Sequence, residues 1–140
     1  MKILVDSNVI IDAVSSRRES NEASKKLFLL ASSYEVEGCL IAKQITDIHC
    51  CLRKYISEEA KRREFISFLL ETFRILPLGK EDLQRALDLG MKDYGDAVLV
   101  SSSSSDIDCI VTNNPKDFIS SPLKALTPQE ALKKLQEQNA

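Results

Sequence analysis

The stretch Ile3-Leu4-Val5-Asp6-Ser7-Asn8-Val9-Ile10 decides the fold of this chain. Its first three residues are apolar without alternation, which is typical of a central strand buried on both faces of a parallel sheet. The next three are residues that favour a helix N-terminus, so a helix is expected over residues 9–14. Asp6 therefore follows directly on a buried strand, and ligands gather at the carboxyl ends of parallel strands.

The alternation of strand and helix continues along the chain. Further strands are expected at residues 38–42, 74–76, 109–112 and 125–126. Helical patterns cover residues 22–32, 43–55, 57–73, 80–89, 95–105 and 127–136. In the helix at 80–89, Leu83, Ala86 and Leu87 are expected to face the core. This order predicts a three-layer α/β/α sandwich with a mainly parallel central sheet, in a single domain spanning residues 1–140.

The amino-acid composition and the net charge limit the classes of protein to which this chain can belong. Hydrophobic residues make up 44% and charged residues 29% of the 140 residues, as in an ordinary globular protein. The net charge of −2 excludes a basic field over the whole surface, so a phosphate-binding surface would have to be local. Neither a secretion signal nor a membrane-spanning apolar run is recognisable, and the four cysteines suit small buried side chains in a reducing compartment. A cytoplasmic location is expected.

Four acidic residues are the candidates for chemistry: Asp6, Asp47, Asp96 and Asp117. Three of them have a simpler explanation, because Asp6 and Asp96 stand at helix starts, where a carboxylate can cap, and Asp47 can lie in solvent. Carboxylates brought to one sheet edge would repel each other unless a cation lay between them. Hard cations such as Mg²⁺ and Mn²⁺ prefer oxygen ligands. The pattern therefore favours a divalent metal site.

The order of these acids resembles the PIN-domain family of metal-dependent ribonucleases. The resemblance spans essentially the whole chain and is carried by Ile3 to Ile10, Ile45-Thr46-Asp47-Ile48, Tyr94-Gly95-Asp96-Ala97 and Ile110-Val111-Thr112-Asn113-Asn114-Pro115-Lys116-Asp117-Phe118. It implies an endoribonuclease with Mg²⁺ or Mn²⁺ as cofactor. It also implies that Asp6 and Asp96 bind the metal directly, with Asp47 assisting and Asn114 or Asp117 completing the ligand set.

Two positions depart from the family pattern. Asp47 stands where the family usually has Glu, so its contact with the metal would be mediated by water. Asn114 stands where the family often has Asp. These departures leave open a catalytically degenerate PIN fold that serves as a binding module.

The resemblance also implies partners. Many small members are toxins of the VapBC type of toxin–antitoxin system, typically homodimeric and inhibited by a small antitoxin protein. Bulky apolar residues in the helical segments 45–55 and 65–73 also favour a homodimer. Arg17 and Arg18, in a polar loop after the helix that Asp6 begins, are the candidate RNA contacts.

A phospho-acceptor signalling domain would share the alternating architecture and an acidic sheet edge. Such domains carry a turn with two acidic residues after the first strand, and their phosphorylated Asp lies in the middle of the sheet. Here Asp6 alone follows the first strand, and no Asp ends the Leu40-Ile41 strand. This class is therefore the weaker alternative.

Overall fold

A five-stranded, entirely parallel sheet forms the centre of the computed structural model, which describes residues 1–15 and 22–139. The strands are β1 (Lys2–Val5), β2 (Glu37–Ile41), β3 (Arg74–Leu76), β4 (Cys109–Val111) and β5 (Ala125–Leu126). Their spatial order is β3-β2-β1-β4-β5, and every neighbouring pair is parallel. The predicted α/β fold with a parallel sheet is confirmed.

Seven α-helices accompany the sheet in the described residues. They are α1 (Ser7–Val14), α2 (Glu22–Ser32), α3 (Ala42–Cys51), α4 (Glu59–Thr72), α5 (Lys80–Ala86), α6 (Tyr94–Ser102) and α7 (Pro128–Gln138). Short 3-10 turns follow α3 at Leu52–Lys54 and β4 at Pro115–Phe118. Most predicted elements are present, with boundaries that shift by a few residues.

The sheet buries both of its faces. Ile3 and Val5 of β1 belong to one apolar core, together with residues from α1, α2, α3, α4 and α7. Leu4 points the opposite way, into a second core that includes Leu99 and Val100 of α6. Successive strand residues face opposite sides of a sheet. An all-apolar strand therefore requires helices on both faces, and this produces the three layers.

Three local expectations were wrong. The serine run leaves the helix after Ser102, because Ser103 is extended (φ −68°, ψ 147°) and its hydroxyl donates to the carbonyl of Val100 at 2.7 Å. Serine side chains that bind nearby carbonyls compete in this way with helical backbone bonds. Helix α5 ends at Ala86, so Leu87 is 71% exposed instead of facing the core; Leu83 is also exposed, and only Ala86 is buried as expected. Cys39 and Cys109 are buried as expected, but Cys50 and Cys51 are exposed.

The apolar faces expected to form a dimer are largely used inside the fold. Ile48 and Leu52 are fully buried, as is Leu69 of α4. Phe65 and Phe68 stack with Phe28 of α2, at ring-centroid distances of 6.0 and 5.7 Å. The large apolar side chains left exposed among the described residues lie elsewhere for the most part: Leu29, Tyr34, Leu70, Leu83, Leu87, Tyr94 and Ile119. No helix in the described residues is long and apolar enough to span a bilayer.

Candidate metal centre

The candidate site lies beside β1, where the order of strand addition reverses: β2 and β3 lie on one side of β1, and β4 and β5 on the other. Strand β1 has β2 on one side and β4 on the other, which makes the gap between β1 and β4 a topological switch point. Ligands of open α/β sheets bind outside the carboxyl ends of the strands at such a point. Val5 is in register with Val111, and the backbone N–H of Asp6 donates to the Val111 carbonyl at 2.9 Å. Asp6 and Thr112 are thereby held side by side.

Asp6 occupies the N-cap position of α1 without capping the helix through its side chain. Its Oδ2 instead accepts hydrogen bonds from Oγ1 of Thr112 at 2.7 Å and from Nδ2 of Asn8 at 3.2 Å. Burial raises the pKa of Asp6, and the negative charge of Asp117 raises it further, while the Thr112 hydroxyl opposes the shift. The carboxylate is thus held at the sheet edge at a cost in desolvation, and the backbone N–H groups of Ser7 and Asn8 also lower its pKa.

Asp96 is also released from capping, because Asp93 performs that role. The carboxylate of Asp93 accepts a hydrogen bond from the backbone N–H of Asp96 at 3.0 Å, which closes the first turn of α6. Burial is the main cause that raises the pKa of Asp96 to about 6, and the charges of Asp93, Asp6 and Asp117 add to it. Three of the four predicted acids, Asp6, Asp96 and Asp117, therefore share one negative field.

Asp47 is held differently from the other three. It is exposed on α3, and its Oδ2 lies 2.7 Å from Nζ of Lys43 one turn earlier. Lys43 also lowers the pKa of Asp96, whereas Asp47 is not among the main charges that shift the pKa of Asp96 or Asp6. Asp47 is thus engaged in an exposed ion pair with Lys43, and Lys43 is close enough to Asp96 to affect its pKa.

The other predicted site residues fall into two groups. Asn114 begins the 3-10 turn that carries Asp117, and its backbone N–H donates to Oγ1 of Thr112 at 3.1 Å. Asn114 also lines a cavity together with Ser7 and Asn8, the two residues that follow Asp6. Arg17 and Arg18 lie outside the described residues.

Two buried polar residues support the site and were not singled out from the sequence. Thr112 is completely buried, and its hydroxyl joins Asp6 to the chain that follows β4. Gln44 is 1% exposed; its Nε2 donates to the Val5 carbonyl at 2.8 Å, and its Oε1 accepts from the Ile41 N–H at 2.7 Å. The sequence signal for Thr112 is a polar residue directly after an apolar strand, whereas Gln44 is the third residue of α3. Buried polar atoms are nearly always paired.

The donor set suits a hard divalent cation that retains part of its hydration shell. Within residues 1–15 and 22–139, no three Asp, Glu, His or Cys side chains form a closed cluster that could hold a metal ion. Asp6, Asp96 and Asp117 nevertheless offer carboxylate oxygens in one shared field, and two of them have raised pKa values. Mg²⁺ keeps several waters and is usually bound through only one or two carboxylates. The residues therefore fit a hydrated Mg²⁺ better than a fully enclosed ion.

Comparison with known proteins supports the same family as the acid pattern. A family model described as PIN domain matches residues 2–116. "Ribonuclease VapC1" from Aquifex aeolicus is 24% identical over 134 residues, which cover 92% of each protein.

Solved structures show the same fold at low sequence identity. A toxin–antitoxin complex from Klebsiella pneumoniae aligns over 90% of this chain and 97% of its own, with 23% identity and a TM-score of 0.67. VapBC2 from Rickettsia felis, bound to a DNA fragment from its promoter, aligns over 91% and 98%, with 16% identity and a TM-score of 0.66. VapC20 from Mycobacterium tuberculosis, a sarcin–ricin loop cleaving toxin, aligns over 77% and 86%, with 9% identity and a TM-score of 0.61.

Proposed function

Because this chain belongs to the PIN-domain family and is a distant relative of a VapC ribonuclease, we propose that it is an endoribonuclease dependent on Mg²⁺ or Mn²⁺. The observation that carries the proposal is the negative field shared by Asp6, Asp96 and Asp117 at the switch point of the sheet. Carboxylates with raised pKa values, such as Asp6 and Asp96, cluster at functional sites.

In this proposal Asp6 and Asp96 hold the metal directly, while Asp47, Asn114 and Asp117 surround it. Mg²⁺ held by these residues would lower the pKa of a bound water and offset negative charge on the phosphate. The protein's own contribution is to hold the acids in place. Thr112 and Asn8 orient the Asp6 carboxylate, and Asp93 fixes the helix start that presents Asp96.

The test is cleavage with and without metal. Purified protein incubated with structured and single-stranded RNAs in Mg²⁺ or Mn²⁺ should cut internally and leave 5′-phosphate and 3′-hydroxyl ends. Cleavage should stop in EDTA and return when excess Mg²⁺ is added. Cleavage that persists in EDTA would contradict the proposal, because among the described residues we find no alternative group to activate the water.

A binding module without catalysis is the second candidate, and the Lys43–Asp47 ion pair favours it. Asp47 would have to give up this ion pair before it could contribute to a metal site. RNA binding without cleavage at any divalent-metal concentration would support this candidate. The phospho-acceptor alternative is not retained, because the PIN-domain match spans residues 2–116.

We further propose a homodimer that binds a small antitoxin protein, since several solved relatives are toxin–antitoxin complexes. Exposed Leu83, Leu87 and Tyr94 on and near α5 and α6 leave apolar surface for such contacts. Light scattering at micromolar concentration should give about twice the 15.7 kDa chain mass. A mass of one chain would contradict the dimer under those conditions. The single domain over residues 1–140 and the cytoplasmic location stay predictions.

A further inference from the structure

Lys43 places an ammonium group at the edge of the candidate metal centre. Its Nζ lies 2.7 Å from Oδ2 of Asp47, one turn further along α3. The same ammonium group is close enough to Asp96, on α6, to lower the pKa of that carboxyl group. Lys43 therefore acts on carboxylates from two helices that are far apart in the sequence.

The position of Lys43 is set by its neighbour Gln44, which is buried. The Gln44 Nε2 donates to the carbonyl of Val5 at 2.8 Å and to Oγ of Ser7 at 3.2 Å. Val5 and Ser7 are the residues on either side of Asp6 in the chain. The first turn of α3 is thus attached to the end of β1 that carries Asp6, and the backbone of Lys43 is held beside that strand end.

Helix stability does not account for a lysine at this position. Lys43 is the second residue of α3, where the positive end of the helix dipole disfavours a cation. An ion pair between residues i and i+4 of a helix is also weaker when the basic residue precedes the acidic one, as Lys43 precedes Asp47. Both side chains are exposed by more than a third, so solvent weakens the pair further. A stronger cation can therefore displace Lys43.

A divalent metal ion is such a competitor. Mg²⁺ carries twice the charge of an ammonium group and prefers the oxygen ligands that carboxylates offer. Two cations close together also repel each other. Pairing of Lys43 with Asp47 and binding of a metal ion beside Asp47 and Asp96 should therefore oppose each other.

We propose that Lys43 is a tethered counter-cation that competes with Mg²⁺ for the carboxylates of the candidate metal centre. In the metal-free protein its ammonium group offsets part of the negative charge of Asp47 and Asp96. On metal binding Lys43 releases Asp47, whose carboxylate then accepts hydrogen bonds from water in the hydration shell of the ion. The inference rests on the proposed metal-dependent function and adds to it a residue that sets the Mg²⁺ concentration at which the site fills.

Magnesium titrations test this competition without RNA or catalysis. Metal-stripped ¹⁵N-labelled protein is titrated with MgCl₂, and dissociation constants are taken from the amide shifts of Asp6 and Asp96. Lys43→Met keeps the unbranched side chain and removes its charge, so it should bind Mg²⁺ roughly three- to tenfold more tightly than wild type. Lys43→Arg keeps the charge and should bind as weakly as wild type. Melting temperatures in EDTA check that each variant is folded.

Lys61→Met is the matched control. Lys61 also forms an exposed ion pair, with Glu58 at 3.8 Å, and it is not among the main charges that act on Asp96. Its loss should leave the Mg²⁺ dissociation constant unchanged. In an Asp47→Asn background the Lys43→Met substitution should bring a smaller gain in affinity, since the ion pair that it removes is already absent.

The outcomes separate this inference from the proposed function. Tighter Mg²⁺ binding by Lys43→Met, with Lys43→Arg and Lys61→Met close to wild type, would support the competition. If wild type binds Mg²⁺ and Lys43→Met binds it no more tightly, or gains no more than Lys61→Met, the competition is overturned and the metal centre stays. An undiminished gain in the Asp47→Asn background would also overturn it. Absence of Mg²⁺-induced shifts at Asp6 and Asp96 in every protein would contradict the metal centre itself, and the competition with it.

Discussion

Asp96→Asn is expected to lower Mg²⁺-dependent RNA cleavage by roughly 100-fold or more. Loss of a residue that merely supports a metal ligand typically costs about 10- to 100-fold, and Asp96 is proposed as a direct ligand. The replacement keeps the shape of the side chain and removes its charge. Because Asp93 caps α6, the helix start should survive the change.

The same variant should make the metal-free protein more stable. The pKa of Asp96 is raised from 3.8 to about 6 in the folded protein, so between these values the folded state binds more protons than the unfolded state. The contribution of Asp96 to the stability of the metal-free wild type therefore falls as pH rises from about 4 to 6. Above this window the ionised carboxylate destabilises the fold by about 1 kcal/mol, a value reduced for solvent screening at this half-buried group. The Asp96→Asn variant has no carboxylate at this position, so its stability should not be reduced in this way.

Thermal melts of both proteins, with EDTA and with excess Mg²⁺, at pH 5 and pH 7.5, provide the measurement. Wild type should be stabilised by Mg²⁺ at pH 7.5, and Asp96→Asn should respond weakly or not at all. Glu137→Gln, at an exposed position near the end of α7, controls for loss of one acidic charge elsewhere. An Asp96→Asn protein with the full metal response would refute the proposed centre.

Thr112→Val should reduce cleavage by about 10- to 100-fold through an effect on Asp6. Valine matches threonine in shape but cannot donate to Asp6 or accept from the N–H of Asn114. The Thr112 hydroxyl lowers the pKa of Asp6, so its loss should raise that pKa further. Metal binding needs the ionised carboxylate, and the acidic limb of the pH–activity profile should therefore move to higher pH. The buried unpaired groups should also cost about 1–3 kcal/mol of stability.

Thr112→Ser is the matched control, because it keeps the hydroxyl and removes only a methyl group. It should retain the wild-type pH profile, with a stability loss of about 1 kcal/mol for the missing methyl. Cleavage rates across pH and melting temperatures of the three proteins make the comparison. If Thr112→Val lost stability with no change in activity or pH profile, Thr112 would have a structural role alone.

Much of this architecture follows from local pattern. Unbroken apolar runs such as Ile3-Leu4-Val5 and Cys109-Ile110-Val111 predict buried parallel strands, since a strand covered on both faces has no polar side. The same pattern predicts that Asp6 directly follows one strand and that Asp117 comes soon after another. The parallel sheet and the family resemblance were therefore accessible from the amino-acid sequence.

The tertiary structure alone decided which carboxylates are free and which are paired. Asp93 and Asp96 look equivalent along the chain, and only the folded helix start shows that Asp93 caps while Asp96 is left in the shared field. The bond between Thr112 and Asp6 joins residues 106 positions apart, and no local pattern specifies it. The cavity beside Asn8 likewise exists because α1, α3 and the segment after β4 meet. The periodicity of the sequence determines the helices and strands and which of their faces are apolar. Long-range hydrogen bonds and the electrostatic interactions between carboxylates depend on distances that are set only when those helices and strands pack together.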